Sequence, residues 1–131
     1  MNLGHDSIVE RLFLRLREKP HDAIYQWLEY ESWQKNGTAL RGEFDVLRRR
    51  GNNLTYYEVK SHENKKAYGR ALVQFERAQR AFPEYNWRFV LVTNEGVRRV
   101  NLERILDKER SRRVDDKAYY HPTIDDVATL R

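Results

Sequence analysis

GEFDVLRRRGNNLTYYEVK, residues 42–60, reads as two strands joined by a tight turn. Gly51-Asn52 is a good two-residue hairpin connection, because glycine takes the positive φ that such turns need. Arg50 then faces Asn53, and counting outward Asp45 faces Glu58 and Glu43 faces Lys60. Period-two alternation puts Glu43, Asp45, Glu58 and Lys60 on one face of the hairpin. Phe44, Val46, Tyr57 and Val59 fall on the other face as a core layer. A turn at Asn52-Asn53 would instead set Asp45 against Lys60, and a plain salt bridge would then account for the pattern.

Like charges directly opposed across a sheet repel. Two carboxylates about 5 Å apart become favourable when a divalent cation lies between them. An all-oxygen donor set of this kind suits magnesium or manganese. The competing reading is a solvated hairpin face with cross-strand ion pairs, each worth under about 1 kcal/mol.

Outward from the hairpin, the periodicity predicts a helix, three strands, a helix and a strand. Ile8, Val9, Leu12, Phe13 and Leu16 recur at helical spacing within residues 7–18, and Pro20 ends that helix. Residues 23–30 are rich in strand formers. Residues 34–42 carry turn signals at Asn36-Gly37 and Gly42 and read as a loop. Strands follow at 43–50 and 53–61. In residues 65–82, Tyr68, Ala71, Leu72, Phe75, Ala78, Gln79 and Phe82 lie on one helix face, and Pro83 stops it. WRFVLVT, residues 87–93, is a continuous apolar run of the kind buried on both faces. After a turn at Asn94-Glu95-Gly96, residues 97–100 read as a short further strand. Residues 102–113 read as a basic helix, and 119–131 as an irregular tail. The pattern predicts an α/β fold, a mixed sheet flanked by helices.

The chain has 131 residues, enough for one compact domain spanning 1–131. The core occupies about residues 4–93, with a basic C-terminal part over 97–131. It has no cysteine, which excludes disulfides and thiolate metal sites. No apolar run approaches the roughly 20 residues of a membrane span, and the N-terminus lacks the pattern of a signal peptide. An intracellular, cytoplasmic protein is expected. The net charge of +5 favours a polyanionic partner. The four histidines have no zinc-like spacing, and there is no Ser-His-acid arrangement. No organic cofactor is implied.

An acid on one strand followed by Glu-x-Lys on the next resembles the signature of the PD-(D/E)XK nuclease superfamily. Here it stands as Glu43-Phe44-Asp45 and Glu58-Val59-Lys60. The name-giving motif has a proline before the aspartate; Glu43-Phe44 replaces it. The element order over residues 4–93 also resembles that superfamily's restriction-endonuclease-like core. The resemblance implies a magnesium-dependent nuclease hydrolysing DNA phosphodiester bonds, with manganese able to substitute. Asp45, Glu58 and the Val59 carbonyl would hold the metal. Lys60 would orient the attacking water and hold the scissile phosphate.

A fourth acid often comes from the first helix in this superfamily, and Glu10 is the candidate, with Glu29 and Glu31 as substitutes. Gly4 and Glu10-Arg11 resemble the start of archaeal Holliday-junction resolvases. Ser7 to Glu10 also has the form of a capping box, a purely structural use of Glu10. Glu43 is read as a partner of Lys60 or of an arginine. Gln74 lies on the helix where some exonuclease-like members place a glutamine near the site; a surface role is the simpler reading. Lys66, Arg70, Gln74, Arg77 and Arg80 run along one side of that helix and suit a phosphate backbone or a solvated face. Ser61 is a further candidate for a phosphate oxygen, and His62 reads as an exposed loop residue. A structure-selective endonuclease acting as a homodimer is expected, since paired cuts need two active sites. An exonuclease, a nicking or restriction-type enzyme on the same core, or a non-catalytic nucleic-acid-binding module are the rival readings.

Overall fold

The computed structural model describes residues 3–105. In chain order these form α1 (His5–Arg17), β1 (Ala23–Trp33), β2 (Ala39–Arg50), β3 (Asn53–Val59), α2 (Lys65–Ala81), β4 (Asn86–Thr93) and β5 (Gly96–Val100). The strands make one sheet in the order β1-β2-β3-β4-β5. β1, β2 and β3 are an antiparallel meander, β4 lies parallel to β3, and β5 returns antiparallel to β4. The parallel step needs a crossover, and α2 is that crossover. The protein is thus α/β with a mixed sheet, as the periodicity predicts.

The decisive hairpin turns at Gly51-Asn52. Gly51 has φ +60° and Arg50 pairs with Asn53. The pairing runs inward to Val46 against Tyr57, so the register is the one that brings Asp45 beside Glu58.

The helices cover opposite faces. Ile8, Val9 and Leu16 of α1 pack on Val46, Tyr57, Val59, Val90 and Val92. Tyr68, Ala71, Leu72, Phe75 and Ala78 of α2 pack on Leu47, Leu54, Tyr56, Phe89 and Leu91. β4 supplies side chains to both layers, which explains its unbroken apolar run. Asn64 caps α2, its side-chain oxygen accepting from the Ala67 amide at 2.9 Å. α1 begins earlier than the sequence suggests, with Gly4 as its N-cap and no side-chain cap bond. Ser7 therefore lies inside the helix, and the predicted Ser7–Glu10 capping box is not formed. No helix among the described residues is long and apolar enough to cross a membrane.

Two further expectations need correction. Residues 39–42 are strand, not loop, so β2 is longer than predicted. Gly42 is there for close approach rather than for a turn: a Cβ on it would lie 2.5 Å from the Tyr30 hydroxyl oxygen. Phe44 also leaves the face of Val46. It packs with Leu47 and Tyr56 under α2, while Val46 stays under α1.

The cause of that switch is local. β1 and β2 keep one register along their whole length, yet Trp27 and Asp45 drop out of the pairing opposite each other. Trp27 has φ 57°, a conformation rare for a bulky residue. On β1, Ile24 packs on the α1 side while Leu28 and Tyr30 pack on the α2 side, so the alternation inverts across this point on both strands.

Residues 97–100 lie in β5, as expected. Beyond it, residues 102–105 are helical, and Leu102 and Ile105 join the core under α2. The rest of the predicted basic helix, with Lys108, Arg110, Arg112 and Arg113, and the tail 119–131 lie outside the described residues.

Candidate active site

The inverted step turns Asp45 into the end of the sheet where β3 finishes. Asp45 and Glu58 are both buried, at 6% and 3% exposure. The β2–β3 register sets the two residues side by side, and the Asp45 carboxyl acts on that of Glu58. Lys60 follows, its Nζ 3.9 Å from Glu58 Oε1. The predicted trio of Asp45, Glu58 and Lys60 is therefore brought together. Glu43 is not the partner of Lys60; its side chain lines an adjoining groove with Glu29, Glu31, Arg41 and Arg77.

Each carboxylate is also held by a neighbour. Asp45 Oδ2 accepts from the Val59 amide at 2.8 Å and lies 3.2 Å from His5 Nε2. The Val59 N–H thus points toward β2, and in an extended strand the carbonyl of the same residue points to that side too. Glu58 Oε2 accepts from the Tyr56 hydroxyl. The Tyr56 oxygen also lies 3.2 Å from the Gln74 side chain on α2 and 3.3 Å from the Glu43 carbonyl. A phenol has one proton to give. With it on Glu58, the Gln74 amide serves by turning its nitrogen to Tyr56.

Burial pushes the Glu58 carboxyl up to about 9, and the Asp45 carboxyl beside it adds to the rise. Tyr56 and Lys60 oppose the shift without cancelling it. Burial likewise drives the Tyr56 phenol far above its ordinary range, and the negative charge of Glu58 adds to it. Near neutral pH Glu58 keeps its proton, and Tyr56 stays a donor.

Asn94 fixes the approach of α1. Its side chain accepts from the Leu3 amide at 2.9 Å and donates to the Leu3 carbonyl at 2.8 Å and the Ser61 carbonyl at 2.7 Å. That ties the residues before α1 to the loop after β3 and sets His5 over Asp45. The His5 ring lies 5.6 Å from the Trp27 ring and 3.1 Å from Asp6 through Nδ1.

The other predicted residues divide. Gln74 reaches the site through Tyr56. Arg70 is exposed on the same helix, and Arg77 lies beside it in the groove with Nη1 3.4 Å from the Arg41 carbonyl. Ser61 engages Asn94 through its carbonyl. Glu10 is exposed and makes no hydrogen bond or ion pair with the cluster; in α1 it is His5 that reaches Asp45. Glu31 is paired with Arg41 at 2.9 Å, and Glu29 is exposed. His62 pairs with Glu95 at 3.3 Å.

Tyr56, His5 and Asn94 escape the sequence reading. A tyrosine in an apolar strand reads as core, a histidine at a helix start as surface, and an Asn-Glu-Gly run as a turn. The one available signal is that Tyr56 precedes Glu58 by two positions and so shares its face.

Among the described residues, no group of three or more His, Asp or Glu is placed to hold a metal. The donor set is two carboxylates, with the Val59 carbonyl on the Asp45 side. That set fits magnesium, which keeps several waters and takes one or two carboxylates. It does not fit the closed nitrogen-rich set that zinc prefers. No family model matches the chain, and no curated protein matches it.

Proposed function

We propose that the protein is a magnesium-dependent deoxyribonuclease with a restriction-endonuclease-like fold, resembling the PD-(D/E)XK superfamily. The observation that carries this reading is the buried meeting of Asp45 and Glu58 with Lys60 beside them. A surface hairpin with ordinary ion pairs would set acid against base in solvent. Here acid meets acid out of solvent, an arrangement that costs stability unless a proton or a cation relieves it.

Asp45, Glu58 and the Val59 carbonyl would hold the cation. A bound magnesium supplies charge neutralisation at phosphorus and a more acidic water. Lys60 holds a non-bridging oxygen of the scissile phosphate and orients the attacking water. The water oxygen bonds to phosphorus as a phosphorus–sugar oxygen bond breaks; the water loses a proton and the departing oxygen gains one. Arg70 and Arg77, on the helix that carries Gln74, suit the phosphate backbone, which positions DNA without reading its sequence.

Within this class the reading is a structure-selective endonuclease of the Holliday-junction-resolvase type, acting as a homodimer. One observation favours an end-processing exonuclease instead: Gln74 joins the site through Tyr56, and α2 lays a basic flank beside it. A panel of linear duplex, single strand, flap, four-way junction and supercoiled plasmid separates the two. Symmetric cutting of the junction, with the plasmid left supercoiled, supports the first. Digestion that starts only at ends supports the second.

A further inference from the structure

The two carboxylates are not held in the same way by chance neighbours. On Asp45, Oδ2 is taken from behind by His5 and the Val59 amide. On Glu58, Oε2 is taken by Tyr56. Asp45 Oδ1 and Glu58 Oε1 take no part in these three bonds, and the latter lies 3.9 Å from Lys60 Nζ. Neither His5 nor Tyr56 belongs to the acid and Glu-x-Lys pattern, and they come from opposite sides of the sheet. His5 arrives from α1, placed by the Asn94–Leu3 tie. Tyr56 arrives from β3 and is linked to α2 through Gln74.

We infer that His5 and Tyr56 are positioning residues, each fixing one oxygen of its carboxylate so that the other oxygens of Asp45 and Glu58 converge on a divalent cation. This rests on the magnesium-dependent reading of the same site. Outer partners of this kind hold a ligand in one orientation, and losing one typically weakens metal binding about 10–100-fold. The same Tyr56 hydroxyl also lies 3.2 Å from Gln74 of α2.

The test reads metal binding directly, without turnover. Manganese is titrated into the DNA-free full chain, and free Mn2+ is followed by electron paramagnetic resonance. Tyr56→Phe removes only the hydroxyl, and His5→Ala removes the imidazole, while His5→Gln keeps a side-chain N–H to donate. Tyr56→Phe and His5→Ala are each expected to weaken Mn2+ binding at least about tenfold. His5→Gln is expected to recover most of the loss, and DNA binding in EDTA to stay at the wild-type level in all three.

Wild-type Mn2+ affinity in both Tyr56→Phe and His5→Ala would overturn the positioning role while leaving the metal site standing. A wild-type protein that binds no Mn2+ and cuts no DNA would sink the metal reading itself, and this inference with it. Binding lost in His5→Ala and not recovered by glutamine would make His5 a ligand, again contradicting a positioning role. Should Tyr56→Phe fail to fold, the half-exposed His5 pair and Gln74→Leu, which removes the partner of Tyr56, read the same proposal.

Discussion

At the scale of single residues, the site is governed by one buried proton. Glu58 is held at about 9 against an ordinary 4.5, first by burial and then by Asp45. The folded state therefore binds a proton that the unfolded chain releases between those values. Stability from this group is fully present below about pH 4.5 and is lost as pH rises through 9. The loss has an upper slope of about 1.4 kcal/mol per pH unit. Thermal melts from pH 5 to 9 are expected to show the melting temperature of the wild type falling, and that of Glu58→Gln staying much flatter. A glutamine keeps a donor for Asp45 and an acceptor for Tyr56 without a proton to lose. Equal slopes in the two proteins would show that Glu58 is not the titrating group.

The residue scale is also where the sequence is least complete. Asp45, Glu58 and Lys60 are legible because a two-residue turn and strict alternation fix which residues meet. Tyr56, His5 and Asn94 are not, because their roles depend on one hydroxyl, one ring nitrogen and one amide meeting partners far away in the chain. Trp27 shows the same limit in the backbone. Its positive φ falls on a bulky residue, with no glycine that could be read in advance.

At the scale of elements, both helices and the mixed sheet are written in periodicity, and the helix C-terminal ends in Pro20 and Pro83. The cap at Asn64 starts the helix that carries Gln74 toward the site. Asn64→Ala is expected to cost about 1 kcal/mol, measurable by urea denaturation, with the fold retained. The strand over Ala39–Gly42 is where element reading fails. Gly42 looks like a turn residue, yet it lies mid-strand beneath the Tyr30 ring, which stacks on Phe44 at 4.7 Å. Gly42→Ala is expected to cost about 1–3 kcal/mol by overpacking. The same change in a Tyr30→Leu background is expected to cost much less. A double-mutant cycle with no coupling would contradict the close-approach explanation.

At the scale of the molecule, the sheet has a division of labour. α1 and α2 close its two faces with separate apolar layers, and β4 serves both. The paired irregularity at Trp27 and Asp45 lets one strand serve both layers and delivers Asp45 to the end of β3. The same step explains why the predicted face of Phe44, Val46, Tyr57 and Val59 splits, while the acid pair on the other face survives. A perfect alternation would have kept the layer and given Asp45 no contact with His5 on the α1 side.

The measurement that bears most directly on the proposed function is cleavage of a four-way junction and a supercoiled plasmid in magnesium. It is made alongside EDTA and with Asp45→Asn and Lys60→Ala proteins. Asparagine still accepts from the Val59 amide, and Lys60 is partly exposed, so both variants are expected to fold. The account predicts metal-dependent cutting of the junction by the wild type, with the plasmid left supercoiled, that falls at least about 100-fold in each variant while Asp45→Asn still binds DNA. DNA bound but left intact in magnesium and in manganese, with the variants behaving as the wild type, would contradict it.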